Sequence, residues 1–577
     1  MPDLTSPIGL IGKRAQPNLW DAVAFGLIIG LLAAVAHSAH GTVMSISAVE
    51  QGKISLSPWA LPGYAMRTVM RMAAAMVASL VFTFTFAPLA AKNQRAGQIL
   101  IPLLDILQSV PILGFLTFTV TGFMALFPGS VLGLEFAAIF AIFTSQAWNM
   151  AFSFYQALTT IPRDLHEAAT NFQLSTWQRF WRLEVPIGMP GLVWNAMMSM
   201  SGGWFFVVAA EAITVGTHTI ALPGIGSYVV TALDARDLGA VAWAIVAMAL
   251  VILAYDQMLF RPLVAWADKF KFEQTASETI EDPWALKLMQ RTRLMRAMLL
   301  PVETSLGYIA RLRLGKPRAH KIAKLPRPLN IAFDVTWYSM IALSLCWCLW
   351  HMFSFMAQTL HPGDLLEALK LGLFTFLRVI VLIVLASIIW VPIGVWIGLR
   401  PALSRRVQSF VQFAAAFPAN LLFPVAVVLI VRFHGNADIW LSPLMILGTQ
   451  WYILFNIIAG ASVFPGDLRE ASANFGIRGW RWWRKVMLPG IFPYYVTGAI
   501  TASGGSWNAA IVAEVASWGT TRLHAHGLGA YIADATLHGD YQRVVLGIAV
   551  MSGFVIATNR ILWRPLYAYA GRRLRFD

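Results

Sequence analysis

Stretches such as GAVAWAIVAMALVILAY (residues 239–255), long, apolar and uncharged, recur throughout the 577-residue chain. A helix needs about 20 such residues to cross a hydrocarbon layer of ~30 Å, and backbone in that layer must satisfy its own hydrogen bonds. Six runs of that length fall in the first half, near 20–39, 64–90, 102–127, 132–157, 190–213 and 239–260. Six more follow, near 333–357, 371–399, 407–432, 439–463, 491–516 and 541–562. Composition agrees, with 58% hydrophobic and 12% charged residues and a mean hydropathy of +0.64, whereas soluble proteins carry ~25% charged residues. The expected fold is all-α: a polytopic membrane protein of about twelve transmembrane helices.

The net charge of +15 has its commonest membrane-protein cause in Lys- and Arg-rich cytoplasmic loops. No basic motif sits on a separate soluble domain, so nucleic acid is not an expected partner. With Lys13 and Arg14 placed in the cytoplasm, the inner loops contain Lys92 and Arg95; Arg163, Arg179 and Arg182; Arg400, Arg405 and Arg406; and Arg478, Arg481, Arg484 and Lys485. The tail residues Arg572, Arg573 and Arg575 are then also inside. Both termini are therefore expected in the cytoplasm, the N-terminal run at 20–39 staying as a span because no cleavage site follows a compact apolar core. Cys346 and Cys348, two apart on a helix, do not face each other, so neither a disulfide nor a metal site is expected.

A shift of 303 residues aligns the two halves without a gap over more than a hundred positions. Trp148 falls on Trp451, Pro162 on Pro465, Asp164 on Asp467, Glu167 on Glu470, Trp204 on Trp507, Glu211 on Glu514, and Gly224 and Gly226 on Gly527 and Gly529. Shared Trp, Pro and Glu in one register indicate tandem duplication. The expected organisation is a first repeat at 1–262, a linker at 263–330 and a second repeat at 331–577. Six spans per repeat put the copies the same way up, with a solute pathway expected where they meet. The linker carries 13 Lys or Arg against 6 Asp or Glu and reads as a basic cytoplasmic tether. Its portion ALKLMQRTRLMRAMLL (285–300) is alternatively an amphipathic helix on anionic headgroups.

Between the fourth and fifth spans of each repeat lies a polar interruption, DLHEAATNFQLSTWQRFWRLEVP (164–186) and DLREASANFGIRGWRWWRKVMLP (467–489). A Pro opens each segment, suiting a first helical turn. The acidic pairs Asp164/Glu167 and Asp467/Glu470 sit where a helix dipole favours negative charge, and Ala168-Ala169 and Ala471-Ser472 form a small-residue face. Gly476 then permits a turn that other residues resist. Two short helices in an L are expected, with an ordinary amphipathic interfacial linker as the bland alternative.

Glu-Ala-Ala, three residues, Gly, nine residues, an aliphatic, one residue and Leu-Pro resembles the cytoplasmic loop signature of permease subunits of ABC importers. Glu470-Ala471-Ser472, Gly476, Val486 and Leu488-Pro489 match it, and in the first copy Glu167-Ala168-Ala169 and Pro186 match while Gln173 replaces the glycine. LLDILQSVPILGF (103–115), the SGGW…AAE and SGGSW…VAE runs, LPGIGSYV and HGLGAYI are similar to the subgroup that transports nitrate, taurine, sulfonates or bicarbonate. The resemblance implies that the loops, through Asp164, Glu167, Ala168, Ala169, Gln173, Asp467, Glu470, Ala471, Ser472 and Gly476, are coupling helices seated on two ATPase subunits. It also implies alternating access at the interface between halves, a small and potentially anionic solute, an extracytoplasmic binding protein, and an inner-membrane location. The sequence has no Gly-x-x-x-x-Gly-Lys-Ser/Thr loop, so the chain is expected to bind no cofactor and to be no enzyme, with ATP and Mg on partner ATPases. Gln173 leaves open whether those are identical. The alternative function is an ATP-independent secondary transporter or channel built from parallel repeats.

Ionisable groups within spans cost ~2.5–3.5 kcal/mol at mid-membrane and so need a reason. Glu211 and Glu514 either line the pathway or hold a Ser, Trp or backbone partner, and Ser201, Trp204, Ser503 and Trp507 beside them are further pathway candidates. Arg71 and Arg378 either draw in an anion or snorkel to the interface. Gly202-Gly203 and Gly504-Gly505 are expected to permit close helix packing. His524, His526 and His538 read as loop histidines, and GIGSYV lacks the third glycine and βαβ context of a dinucleotide site.

Overall fold

The computed structural model describes residues 54–270 (without 216–217), residues 301, 304–305 and 307–315, and residues 327–573 (without 463 and 519–520). The run at 20–39, Lys13, Arg14, Arg575 and the stretch 285–300 lie outside the described residues. Seven described helices are long and apolar enough to cross a membrane: Pro58–Lys92, Val131–Thr159, Thr176–Glu211, Leu238–Ala267, Asp334–Met356, Pro362–Gly398 and Tyr541–Ala570. Three bent pairs raise the number to ten. Helix Leu488–Ala513 has comparable length, but its Gly, Ser, Thr and Asn content leaves it outside that set.

Two runs that read as single spans, 102–127 and 407–432, are each a pair of helices. Gln94–Gln108 and Ile112–Leu126 meet at 96°, and Pro401–Ala416 and Ala419–Arg432 at 76°. Both bends fall at a proline. Pro111 and Pro418 have no N–H to donate, and the preceding residues, Val110 and Phe417, take extended backbone at ψ 129° and 125°. The run at 439–463 bends by 41° between Ala437–Ile446 and Gln450–Ser462.

The duplication is visible in backbone detail. A π-turn occupies Phe180–Glu184 and Trp483–Met487, and another occupies Asp256–Phe260 and Asn559–Trp563, each pair in the 303-residue register. Strands Ala212–Val215 and His218–Ala221 pair as an antiparallel hairpin, as do Val515–Trp518 and Thr521–His524. These hairpins are the small non-helical element that apolar periodicity did not announce.

The described residues form two compact units. One comprises 153–195, 253–270 and the linker segment ending at 315; the other comprises 54–152, 196–252 and 327–573. In the larger unit, Gln450–Ser462 packs between Pro362–Gly398 and Leu488–Ala513 around Ile453, Ile457, Ala499 and Ala502. A second core joins Ile112, Leu116 and Val120 to Leu134, Ala138 and Ala210. Helix Asp334–Met356 buries none of its most apolar window, while Arg95 bonds Asp334 at 2.8 Å.

Glycines set the closest approaches. A Cβ on Gly203 would stand 2.9 Å from Gln146 Nε2, and one on Gly505 would stand 2.4 Å from Thr449 Cγ2, whereas Gly504 faces open space. Packing therefore uses Gly203 and Gly505 but not Gly504. A Cβ on Gly498 would stand 2.8 Å from the Tyr452 carbonyl oxygen, a backbone atom with little freedom to yield. Gly498→Ala is expected to destabilise the protein by about 1–3 kcal/mol through overpacking. Gly504→Ala is expected to be neutral or to stabilise by up to ~1 kcal/mol through helix propensity. Thermal unfolding of the detergent-purified variants distinguishes them.

Candidate functional site

Each polar interruption folds the same way. Helix Arg163–Asn171 is followed by a left-handed residue, Gln173 at φ 50°, and helix Gly466–Asn474 by Gly476 at φ 65°. The N–H of Leu174 bonds the Ala169 carbonyl at 3.1 Å, and that of Ile477 bonds the Ser472 carbonyl at 2.9 Å. These bonds span five residues and close a Schellman end, satisfying carbonyls that the helix leaves orphaned. Gln173 thus adopts the glycine conformation despite its Cβ. The second arm is the start of the next long helix, Thr176–Glu211 in the first copy, so the arms of the L are one short helix and one span entry.

Within these loops Asp164, Glu167, Asp467 and Glu470 are exposed, Ala168 and Ala471 half-buried, and Ala169 and Ser472 buried. The small-residue face therefore packs inward while the carboxylates face out. The tip of each loop presents an aromatic ring, Phe172 at 75% and Phe475 at 82% exposure. In the sequence each is marked only by an Asn-Phe pair, 171–172 and 474–475, just before the turn residue.

At the far end of the same spans lies a pair of buried polar nodes. Helix Thr176–Glu211 ends at Glu211, and the hairpin after it returns the chain so that the Leu222 N–H bonds the Glu211 carbonyl at 2.9 Å. The next helix, Ile225–Asp234, thereby points its N-terminus at the Glu211 carboxylate, which accepts from the Gly226 N–H at 2.7 Å. Helix dipoles favour a negative charge there. The Thr68 hydroxyl donates to the other carboxylate oxygen at 2.6 Å and accepts from the Ile225 N–H at 3.1 Å. Arg71 completes the node, donating to Glu211 at 2.8 Å, to the Pro223 carbonyl at 3.1 Å, and through two nitrogens to Glu135 at 2.6 and 2.7 Å.

The second repeat rebuilds this arrangement. Glu514 accepts from Thr375 at 2.8 Å, Arg378 at 3.1 Å, and the Gly529 and Ala530 N–H groups at 2.7 and 3.1 Å. Arg378 also donates to Asp438 at 2.8 Å and to the His526 carbonyl at 3.0 Å. Asp438 holds the His526 ring, with Nδ1 at 3.0 Å. The nodes differ in closure. Arg71 and Glu135 are 3% and 8% exposed, whereas Arg378 and Asp438 are 15% and 37% exposed. The structure thus brings together Arg71 with Glu211 and Arg378 with Glu514, each guanidinium locked between two carboxylates, a geometry that neither expectation for the arginines described. The glutamates hold backbone N–H groups, one of the partners expected for them. A Cβ on Gly226 or Gly529 would stand 2.2 or 2.4 Å from the Val208 or Ala510 carbonyl oxygen, so the glycines permit helix-on-helix contact rather than phosphate binding.

Among the remaining pathway candidates, Ser201 lines a cavity of about 80 Å³ formed with Gly202, Phe205 and Phe206 from one repeat and Phe417, Thr449, Tyr452 and Gly505 from the other. The cavity lining carries no charge. Trp204 and Trp507 are buried away from it, Trp507 stacking on Phe554 with ring centroids 6.1 Å apart, and Ser503 is also buried. Ile112 N–H donates to Asn508 Oδ1 at 2.7 Å beside this region, another link between the repeats. Among the described residues no cluster of three His, Cys, Asp or Glu side chains could hold a metal ion.

The profile described as "binding-protein-dependent transport system inner membrane component" matches this chain twice, over residues 79–259 and 390–575, together more than half its length. The chain belongs to that family. It is similar to the bicarbonate transport system permease protein CmpB of Synechococcus elongatus, 26% identical over 178 residues, covering 31% of this chain and 61% of that protein. It is also similar to the nitrate import permease protein NrtB of Leptolyngbya laminosa, 26% identical over 171 residues, 30% of this chain and 58% of the relative. The glycine betaine/proline betaine transport system permease protein ProW of Escherichia coli is 25% identical over 194 residues, 34% of this chain and 51% of ProW. The chain thus spans about three fifths or less of these relatives' length. Each matched region contains one loop and the Glu at the centre of one polar node, Glu211 or Glu514, while the linker falls between them.

Arg71→Met strands two carboxylates, one of them fully buried, and is expected to destabilise this permease-family chain by about 3–5 kcal/mol. Arg378→Met, whose partner Asp438 is partly exposed, is expected to cost distinctly less. Denaturant midpoints in detergent micelles measure the difference.

Proposed function

We propose that this chain is the transmembrane permease of an ATP-driven importer, with both half-permeases, 1–262 and 331–577, carried in one polypeptide. The observation that carries the reading is the recurrence, in each family match, of one short helix closed by the same left-handed turn and tipped by an exposed aromatic. Two such loops give two seats for ATPase subunits, which supply the ATP and Mg chemistry that this chain does not perform. Phe172 and Phe475 insert into the partner surfaces, Asp164, Glu167, Asp467 and Glu470 rim them, and the buried Ala169 and Ser472 keep each helix close to the body it moves. Gln173 and Gly476 set the turn that transmits the motion.

The two repeats rock against each other, and the solute passes at their interface, where the uncharged cavity beside Ser201 supports a constriction. The bistable element is that interface, biased by ATP. Glu211 and Glu514, with Arg71 and Arg378, act as hinges of each repeat's outer end. The solute is small and, following two of the three relatives named above, an oxyanion, delivered by an extracytoplasmic binding protein. The chain lies in the inner membrane with both termini in the cytoplasm.

Glu470→Lys reverses a rim charge, and Gly476→Pro demands φ near −65° where the turn holds 65°. Each is expected to abolish ATP-dependent uptake and loosen ATPase association while membrane insertion persists. Normal copurification of the ATPase with both variants overturns the coupling role, and uptake that persists without ATP favours a secondary transporter.

A further inference from the structure

The linker segment Gly307–Gly315 is bonded to the second arm of the first loop. The Trp177 ring Nε1 donates to the Ile309 carbonyl at 2.7 Å, the Trp177 backbone N–H to the Leu314 carbonyl at 3.2 Å, and Gln178 Nε2 to the Arg311 carbonyl at 2.9 Å. Residues 307–311 are helical, so two of these acceptors lie in the last turn of a helix, where carbonyls have few internal partners; the Ile309 carbonyl also accepts from the Leu312 N–H at 3.2 Å. Gly315, at φ 81°, turns the chain against Thr176, where an added Cβ would stand 3.2 Å from the Thr176 Cβ. Ser175 and Gln178 form a capping box that fixes the arm, and Arg179 bonds His166 at 2.6 Å across the bend. The linker's attachment is therefore to a rigid part of the loop.

The second loop keeps the tryptophan, Trp480, but has Arg481 where the first has Gln178, and both are exposed. The linker also lies between the two family matches, so this contact is a property of this chain rather than of the shared fold. Tyr308, Arg311, Arg313 and Leu314 remain exposed on this segment, whose partners Trp177 and Gln178 follow the Phe172 tip by five and six residues.

We infer that Gly307–Gly315 and the first loop form one composite docking surface for an ATPase subunit, and that among the described residues the second loop has no equivalent. The inference rests on the coupling role proposed above and deepens it: the two ATPase seats are unequal, the first adding an aromatic and two arginines. A subunit there meets Tyr308 as well as Phe172, whereas its counterpart meets Phe475 and the exposed Trp480 of the loop itself.

Photoreactive residues placed singly at Phe172, Tyr308 and Phe475 test this in the full chain, purified with its ATPase subunits in lipid nanodiscs and with adducts identified by mass spectrometry. All three positions are expected to capture an ATPase subunit. Capture from Phe172 and Phe475 but not from Tyr308, or capture of lipid by Tyr308, overturns the composite surface and leaves the coupling role standing. Failure at all three overturns both. Trp177→Phe with Gln178→Glu removes two donors while Gln178→Glu keeps the oxygen that accepts from Ser175. The pair is expected to lower Tyr308 capture about tenfold, in keeping with loss of one or two net hydrogen bonds, with Phe475 capture unchanged. Undiminished Tyr308 capture in the double variant overturns the clamp.

Discussion

A carboxylate with no access to water must be held by donors from several directions, and in this fold Glu211 and Glu514 impose that demand on everything around them. Each sits at the end of a long helix and gathers a hydroxyl and a guanidinium from another span and backbone N–H groups from the helix beyond the hairpin. An isolated buried charge is prohibitively costly, and removing one partner of a buried pair costs about 3–5 kcal/mol. The hairpin, the close-packed Gly226 and Gly529, and the position of Thr68 and Thr375 one turn before each arginine all serve that closure. With Glu135 or Asp438 bound on the other side of the guanidinium, four elements of each repeat are fixed by one cluster.

Much of this architecture was legible in the sequence because the physics behind it is local. Apolar length gave the helices, and the 303-residue shift gave the repeat, down to π-turns in matching places. Pro162 and Pro465 marked loop helices that begin one residue later, at Arg163 and Gly466. The bends at Pro111 and Pro418 were legible in principle, since a proline in an apolar run ends a helix as often as it kinks one. Length alone argued for a single span, and steric constraint at the preceding residue prevailed.

The polar nodes were hidden for a different reason. Glu211 and Glu514 lie in the 303-residue register, but Arg71 and Arg378, like Thr68 and Thr375, are 307 residues apart. A shift of four residues is about one helical turn, which moves a side chain along a helix while keeping it on the same face. An ungapped shift of 303 therefore leaves the arginines out of register, although each makes the equivalent bond to Glu211 or Glu514. Glu135 and Asp438 were in register but differ in length and identity, so nothing in the pattern singled them out.

Duplication supplied two copies of one scaffold, and the copies have diverged where geometry rather than burial decides. The left-handed turns at Gln173 and Gly476 recur at Arg236 and Gly539, with a non-glycine in the first repeat both times. A left-handed conformation costs ~1–2 kcal/mol in a residue with a Cβ, so the first repeat retains the turns against local preference. Their hydrogen bonds explain how: Leu174 to Ala169 in the loop, and Asp237 N–H to the Ala232 carbonyl at 2.9 Å at the opposite end of the repeat, leave a helix terminus satisfied only if the turn is made. The backbone geometry is thus imposed by the fold, and the side chains at its corners are free to differ. Gln178 against Arg481 and the closed against the partly open node follow the same rule, so equal helices end in unequal surfaces.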